Sequence, residues 1–183
     1  MSELRVPKEF GVHRQVKVVA IPLKKVFDGI DKLPIVHKIF GKETVEVLNQ
    51  LIVELHSRRG YMGVSQDDGR IFVSQPYLRE GPDHYLYLEI IHELVHVKQQ
   101  RDGKDLFDEG FDYVDRPTEI EAYKLAAEEA RRIGMNDKEI MEYLQVEWLS
   151  SSDLKKLVKN ISLELQTEFP KSKPVFRGWY QTK

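Results

Sequence analysis

The apolar positions of this chain change period several times, and the changes divide it into elements. Residues 16–21, VKVVAI, form an apolar, β-branched run stopped by Pro22, which predicts a strand. Residues 23–41 carry no clean period and are interrupted by Gly29, Pro34 and Gly41. From Glu43 to Arg59, Val45, Leu48, Ile52 and Leu55 fall on one helical stripe, which predicts a helix ended by Gly60. Residues 61–75, YMGVSQDDGRIFVSQ, then switch to two short β-rich runs around Asp67-Asp68-Gly69, a hairpin whose turn uses the conformational freedom of glycine.

Beyond the hairpin the pattern is mostly helical. Pro76 and Gly81-Pro82 introduce a long helix from about Asp83 to Gln100, terminated by Gly103. Residues 103–116 are loop-like. Pro117 suits a first helical turn, and TEIEAYKLAAEEARRI continues with strong helix formers to Gly134, a C-cap. Asn136 or Asp137 is expected to cap a further helix to about Leu149, and Ser151 or Ser152 another. The order strand, helix, hairpin, helix, then helices predicts an α+β fold. The expected organisation is a domain over 1–135 and a helical C-terminal extension over 136–183, ending in the basic, aromatic segment KSKPVFRGWYQTK.

Composition narrows the chemistry. With no cysteine in 183 residues, disulfides, thiolate metal sites and cysteine nucleophiles are excluded. The 28 basic and 30 acidic residues are interspersed to a net charge of −2, so no surface dedicated to nucleic acid or membrane is expected. No apolar run approaches the ~20 residues of a membrane span. The polar opening MSELRVPKEF lacks the apolar core of a secretory signal, which points to the cytoplasm.

Within the long helix, IIHELVHVKQQ sets His92 and His96 four residues apart with Glu93 after the first. Positions four apart differ by about 40° around a helix, so both rings can offer a nitrogen to one ion. Zinc binds neutral imidazole well, and a catalytic site keeps one of its four positions open. Glu93 lies beside the pair rather than in line with it, where a general base toward water is needed. Chance produces this HExxH pattern in roughly one chain in fifty of this composition. Apolar flanks Ile90, Ile91, Leu94, Val95 and Val97 suit a helix buried beneath a cleft.

A third ligand must come from elsewhere. Asp102 lies about 280° around the helix from His92 and is rejected. The remaining source is Glu119-Ile120-Glu121-Ala122 on the following helix. Together with His92-Glu93-Leu94-Val95-His96, this stretch resembles the gluzincins, zinc metallopeptidases with HExxH and a glutamate ligand on a second helix. The likeness covers about residues 42–134, and compact cores of this kind also occur in the ImmA/IrrE-like peptidases. It implies a zincin-like core: a small antiparallel or mixed sheet, a backing helix, the HExxH helix and a glutamate helix. It further implies a Zn²⁺ cofactor, a peptide or protein substrate, and metal ligands His92, His96 and Glu121, since a Glu-Ala pair marks the ligand in that family. Glu119 is the rival, facing about 160° away from Glu121. Leu125 stands where thermolysin-like members place an acid supporting a ligand histidine, so that support must come from elsewhere; Glu119, Asp112, Asp115 and a backbone carbonyl are candidates.

Several residues around this motif have two readings. Arg70–Ser74 reads either as an edge strand that pairs with a peptide or as an ordinary sheet strand. Tyr113, Tyr123 and His84 are candidate donors to an oxyanion, or packing and surface residues. His13, His37 and His56 stand apart from the motif. Phe176, Trp179 and Tyr180 read as a segment docked on the core, or as a self-inhibiting or homo-oligomer-forming one. The function implied is hydrolysis of peptide bonds with Glu93 as base; the alternative is a zincin-like regulatory or binding module with a latent or structural zinc.

Overall fold

The structure is a computed structural model, and it describes residues 4–15, 17 and 19–169. Its architecture is mixed α+β, as the order of elements predicts. Strands β1 (Gly11–Val12), β2 (Ala20–Pro22) and β3 (Phe27–Asp28) are followed by helices α1 (Pro34–Phe40) and α2 (Thr44–Gln50). Strands β4 (Ile52–His56), β5 (Met62–Val64) and β6 (Ile71–Ser74) come next, then helices α3 (Gln75–Glu80) and α4 (Asp83–Arg101). The chain ends with α5 (Pro117–Arg132), α6 (Asp137–Leu144) and α7 (Ser151–Asn160). β1 and β3 form a small antiparallel ribbon, while the main sheet has the order β2-β4-β6-β5. In that sheet β4 and β6 run parallel and the outer pairings are antiparallel.

The helix expected over residues 43–59 is instead a short helix and a strand. Leu51 turns extended after α2, and Ile52–His56 joins the sheet. The helical stripe would need Val45 and Ile52 buried, yet they are 57% and 38% exposed, while Val53 and Leu55 are buried in strand alternation. Two β-branched residues in succession favour the pleated surface once the helix has ended. The strand expected over 16–21 is shorter, and Pro22 ends it from inside. Pro22 is tolerated because β2 is an edge of the sheet. Val16 and Val18 lie outside the described residues.

The hairpin forms as expected, with Gly69 at φ 71°. Arg70–Ser74, however, is not an edge: β6 is paired on both sides, and β5 is the edge. Helix α3 was not legible as a separate element; Ser74 caps it, and Pro76 sits in its first turn. Helix α6 stops at Leu144, short of Leu149, and α7 is capped by Ser150 rather than Ser151 or Ser152.

Helix α4 is the axis of the molecule. Apart from Glu89, every residue from Leu86 to Val97 is buried, so α4 is surrounded and its polar side chains there must find partners inside. It packs against α5, α1 and β5. At one end of the α4–α5 pair, buried Glu129 accepts hydrogen bonds from the Tyr87 hydroxyl and from Arg132. One core runs from Leu23 to Ile161, and Ile140, Met141, Leu154 and Leu157 belong to it. The C-terminal helices therefore share buried residues with the core of the preceding region. Among the described residues no helix is long and apolar enough to cross a membrane. The aromatic tail, Phe176, Trp179 and Tyr180, lies outside the described residues.

Candidate metal centre

His92 and His96 project from α4 one turn apart, and α5 brings Glu119 against them. The two Nε2 atoms are 3.0 Å apart. Glu119 Oε2 is 3.5 Å from His92 Nε2 and 3.6 Å from His96 Nε2. All three side chains are buried. Donor atoms about 2.0–2.1 Å from a tetrahedral zinc are about 3.3 Å from one another. The observed triangle brackets that value. Its atoms are Lewis bases facing inward, and no hydrogen bond satisfies Glu119 Oε2. This His92–His96–Glu119 group could hold a metal ion.

Glu121, expected as the third ligand, is not in the triangle. Its carboxylate accepts from Lys104 Nζ and from Gln99 Nε2, each at 2.8 Å, and its side chain is 55% exposed. The reason is the phase of α5. Its buried face runs through Thr118, Glu119, Ala122, Tyr123, Ala126, Ala127 and Ala130, a stripe spaced by three and four that passes through Glu119 and misses Glu121.

A histidine of the triangle has a buried hydrogen-bond partner in Gln99, a residue that no sequence pattern singled out. His96 Nδ1 donates to Gln99 Oε1 at 2.8 Å. Gln99 lies three residues after His96, hence on the same side of α4. None of Glu119, Asp112 and Asp115 has this part: Glu119 is in the triangle, and Asp115 pairs with Lys156 and Asn160.

Electrostatics follow from burial. Desolvation would push the Glu119 carboxyl up, but the two imidazoles hold it far below the carboxylate range. Burial holds His92 down and hence neutral. For His96 burial acts in the same direction, yet Glu119 and Glu93 outweigh it and raise the ring to about 9. Without a cation, His96 thus carries the extra proton beside an ionised Glu119. Burial, opposed by His96, also pushes the Glu93 carboxyl up to about 8, and its Oε2 has no hydrogen-bond partner.

The triangle and Glu93 form one wall of a cleft of about 480 Å³. Met62, Gly63 and Val64 of β5 line it, with an apolar and aromatic surface from Phe72, Leu106, Phe107, Tyr113 and Trp148. Phe107 and Trp148 are more than half exposed at its mouth. Of the candidate donors, Tyr113 lines the cleft and its hydroxyl lies 2.8 Å from that of Tyr123, whose ring packs on His92. His84 lines a different cleft, beside Phe10 and Arg14. His37 binds the Asp31 carbonyl at the surface.

β5, an edge strand of the sheet, lines this cleft. Ser65 donates to the Arg70 carbonyl and Ser74 to that of Tyr61, so positions 61, 63 and 65 turn their backbone groups toward β6. Met62 and Val64 turn theirs outward. Comparison with protein-family models, with curated proteins and with solved structures finds no match to this chain.

Proposed function

We propose that the chain is a zinc-dependent peptidase of zincin-like architecture, with His92, His96 and Glu119 as ligands and Glu93 as the general base. The observation that carries the reading is the inward triangle beside a buried carboxyl with a free oxygen, all on one cleft. Three protein ligands leave one zinc position open, as in a catalytic rather than a closed structural site. Bound there, zinc supplies Lewis acidity toward a substrate carbonyl and toward water.

The protein groups divide the remaining work. Glu93 takes a proton and returns it to the leaving amine; burial sets its carboxyl near neutrality, and a cation at His92 draws it toward the basic form. Tyr113, hydrogen-bonded to Tyr123, offers an O–H to the developing oxyanion. The outward backbone groups of Met62 and Val64 suit an extended peptide laid along β5, with its side chains against the aromatic walls.

Metal analysis and hydrolysis of a peptide library test this together. Wild type is expected to hold about one zinc per chain, and His92→Ala to lose it. Glu93→Gln keeps zinc content and melting temperature, while hydrolysis falls by ~10² or more. Cleavage by Glu93→Gln at the wild-type rate overturns the mechanism. Zinc without hydrolysis in wild type and mutant alike favours a binding or regulatory module.

A further inference from the structure

We propose that Gln99 is the positioning residue of this centre: it fixes His96 with Nε2 facing the ion, and Thr118 and Glu121 hold Gln99 in the orientation that does so. The inference rests on the reading of His92, His96 and Glu119 as a metal site.

The argument is an accounting of donors and acceptors. Gln99 is 1% exposed, and its amide has three partners. One is His96 Nδ1, at 2.8 Å from Oε1. The others are the Thr118 carbonyl, 3.0 Å from Nε2, and Glu121 Oε2, 2.8 Å from the same nitrogen. A carbonyl and a carboxylate can only accept, so the NH₂ group must face them. Turning the amide over would set its oxygen against two acceptors: the Thr118 carbonyl would lose this donor in a buried place, and the Glu121 carboxylate would face a second oxygen. The oxygen is thereby committed to His96, and it accepts only if Nδ1 carries hydrogen. A neutral imidazole with its hydrogen on Nδ1 has its lone pair on Nε2, the atom aimed at His92 and Glu119.

The two histidines are therefore unequal. His96 is oriented by a buried partner, whereas His92 Nδ1 is buried with no hydrogen-bond partner among the described residues. The chain of bonds also reaches the surface. Lys104, about half exposed, holds Glu121 Oε2 at 2.8 Å, so Lys104, Glu121, Gln99 and His96 form one line from solvent to the centre. Glu121 thus acts through Gln99 rather than on the ion.

The test is zinc titration together with ¹⁵N-histidine NMR on the full chain. In wild type, with and without zinc, His96 should show an Nδ1–H proton protected from exchange, and zinc should sit on Nε2. Gln99→Leu should lose that protected proton and bind zinc about 10–100-fold more weakly, the usual cost of removing such a partner. Glu121→Ala, which removes one of the two acceptors that hold the Gln99 amide but leaves the Thr118 carbonyl, should keep the protected proton and weaken zinc binding by no more than about tenfold. Wild-type zinc affinity with an unchanged His96 signal in Gln99→Leu overturns the proposal. So does a wild-type spectrum in which His96 Nδ1 carries no protected proton. If Gln99→Leu does not fold, the wild-type spectrum decides, and zinc on His96 Nδ1 overturns the proposal. A protected Nδ1–H with no zinc bound to wild type instead overturns the metal-site reading and leaves the orientation of His96 standing.

Discussion

At the scale of single residues, two glutamates one position removed from neighbours of each other have opposite environments. Glu119 is buried against two imidazoles, and Glu121 is an exposed partner of Lys104. Glu119→Ala is accordingly expected to abolish zinc binding in a titration. Glu121→Ala should weaken it by no more than about tenfold, because its influence passes through Gln99. Equal losses in the two variants would mean that the triangle is not the binding site. That His92 and His96 lie together was legible from spacing alone, since four residues on a helix bring two rings to one side. Glu119 was legible in principle: the stripe Ala122, Tyr123, Ala126 and Ala130 continues back to it. A Glu-Ala likeness drew the expectation to Glu121 because it concerns residue identity and carries no helical phase. Gln99 was hidden for another reason. An amide three residues after a histidine signals nothing until the acceptors facing it, from a different helix, are known.

At the scale of elements, ends were read less well than interiors. Helix α4 was placed within a residue because Pro82 and Gly103 bound it. The helix expected over 43–59 failed because its apolar residues satisfy two periods, and only the sheet partners of Val53 and Leu55 select the strand. Asn136 shows what a well-signalled end contributes. Its side chain accepts from the Glu139 N–H at 3.0 Å, and Glu139 reaches back to the Asn136 N–H at 2.8 Å. Both bonds satisfy groups that a helix start leaves open. Asn136→Ala should cost about 1 kcal/mol in chemical denaturation, with zinc content unchanged. A loss of zinc would show that α6 is coupled to the centre, which its packing against the far part of α5 does not suggest.

At the scale of the whole molecule, the C-terminal helices pack into the same large buried cluster as the helices that carry the centre. Leu154, Leu157 and Val158 of α7 are buried in the one core, and Asn160 and Lys156 bind Val114 and Asp115 in the segment leading to α5. Truncation after Leu149 is expected to abolish the cooperative thermal transition seen by circular dichroism, whereas a separable extension would leave it intact. The division into 1–135 and 136–183 was a reading of composition, which reports helices but not where they dock. The pairing of α4 with α5 carries a further consequence. It is fastened at Tyr87–Glu129 and again at Gln99–Thr118, with the triangle between. One residue added to a helix turns everything beyond it by about 100° and advances it ~1.5 Å. An insertion between Glu119 and Glu129 would therefore unseat one fastening whichever way the helix slid, while the exposed residues 109–112, in a connection outside both fastenings, can change length without moving either. Natural variation in chain length should accumulate in that connection and be absent from the two helical stretches.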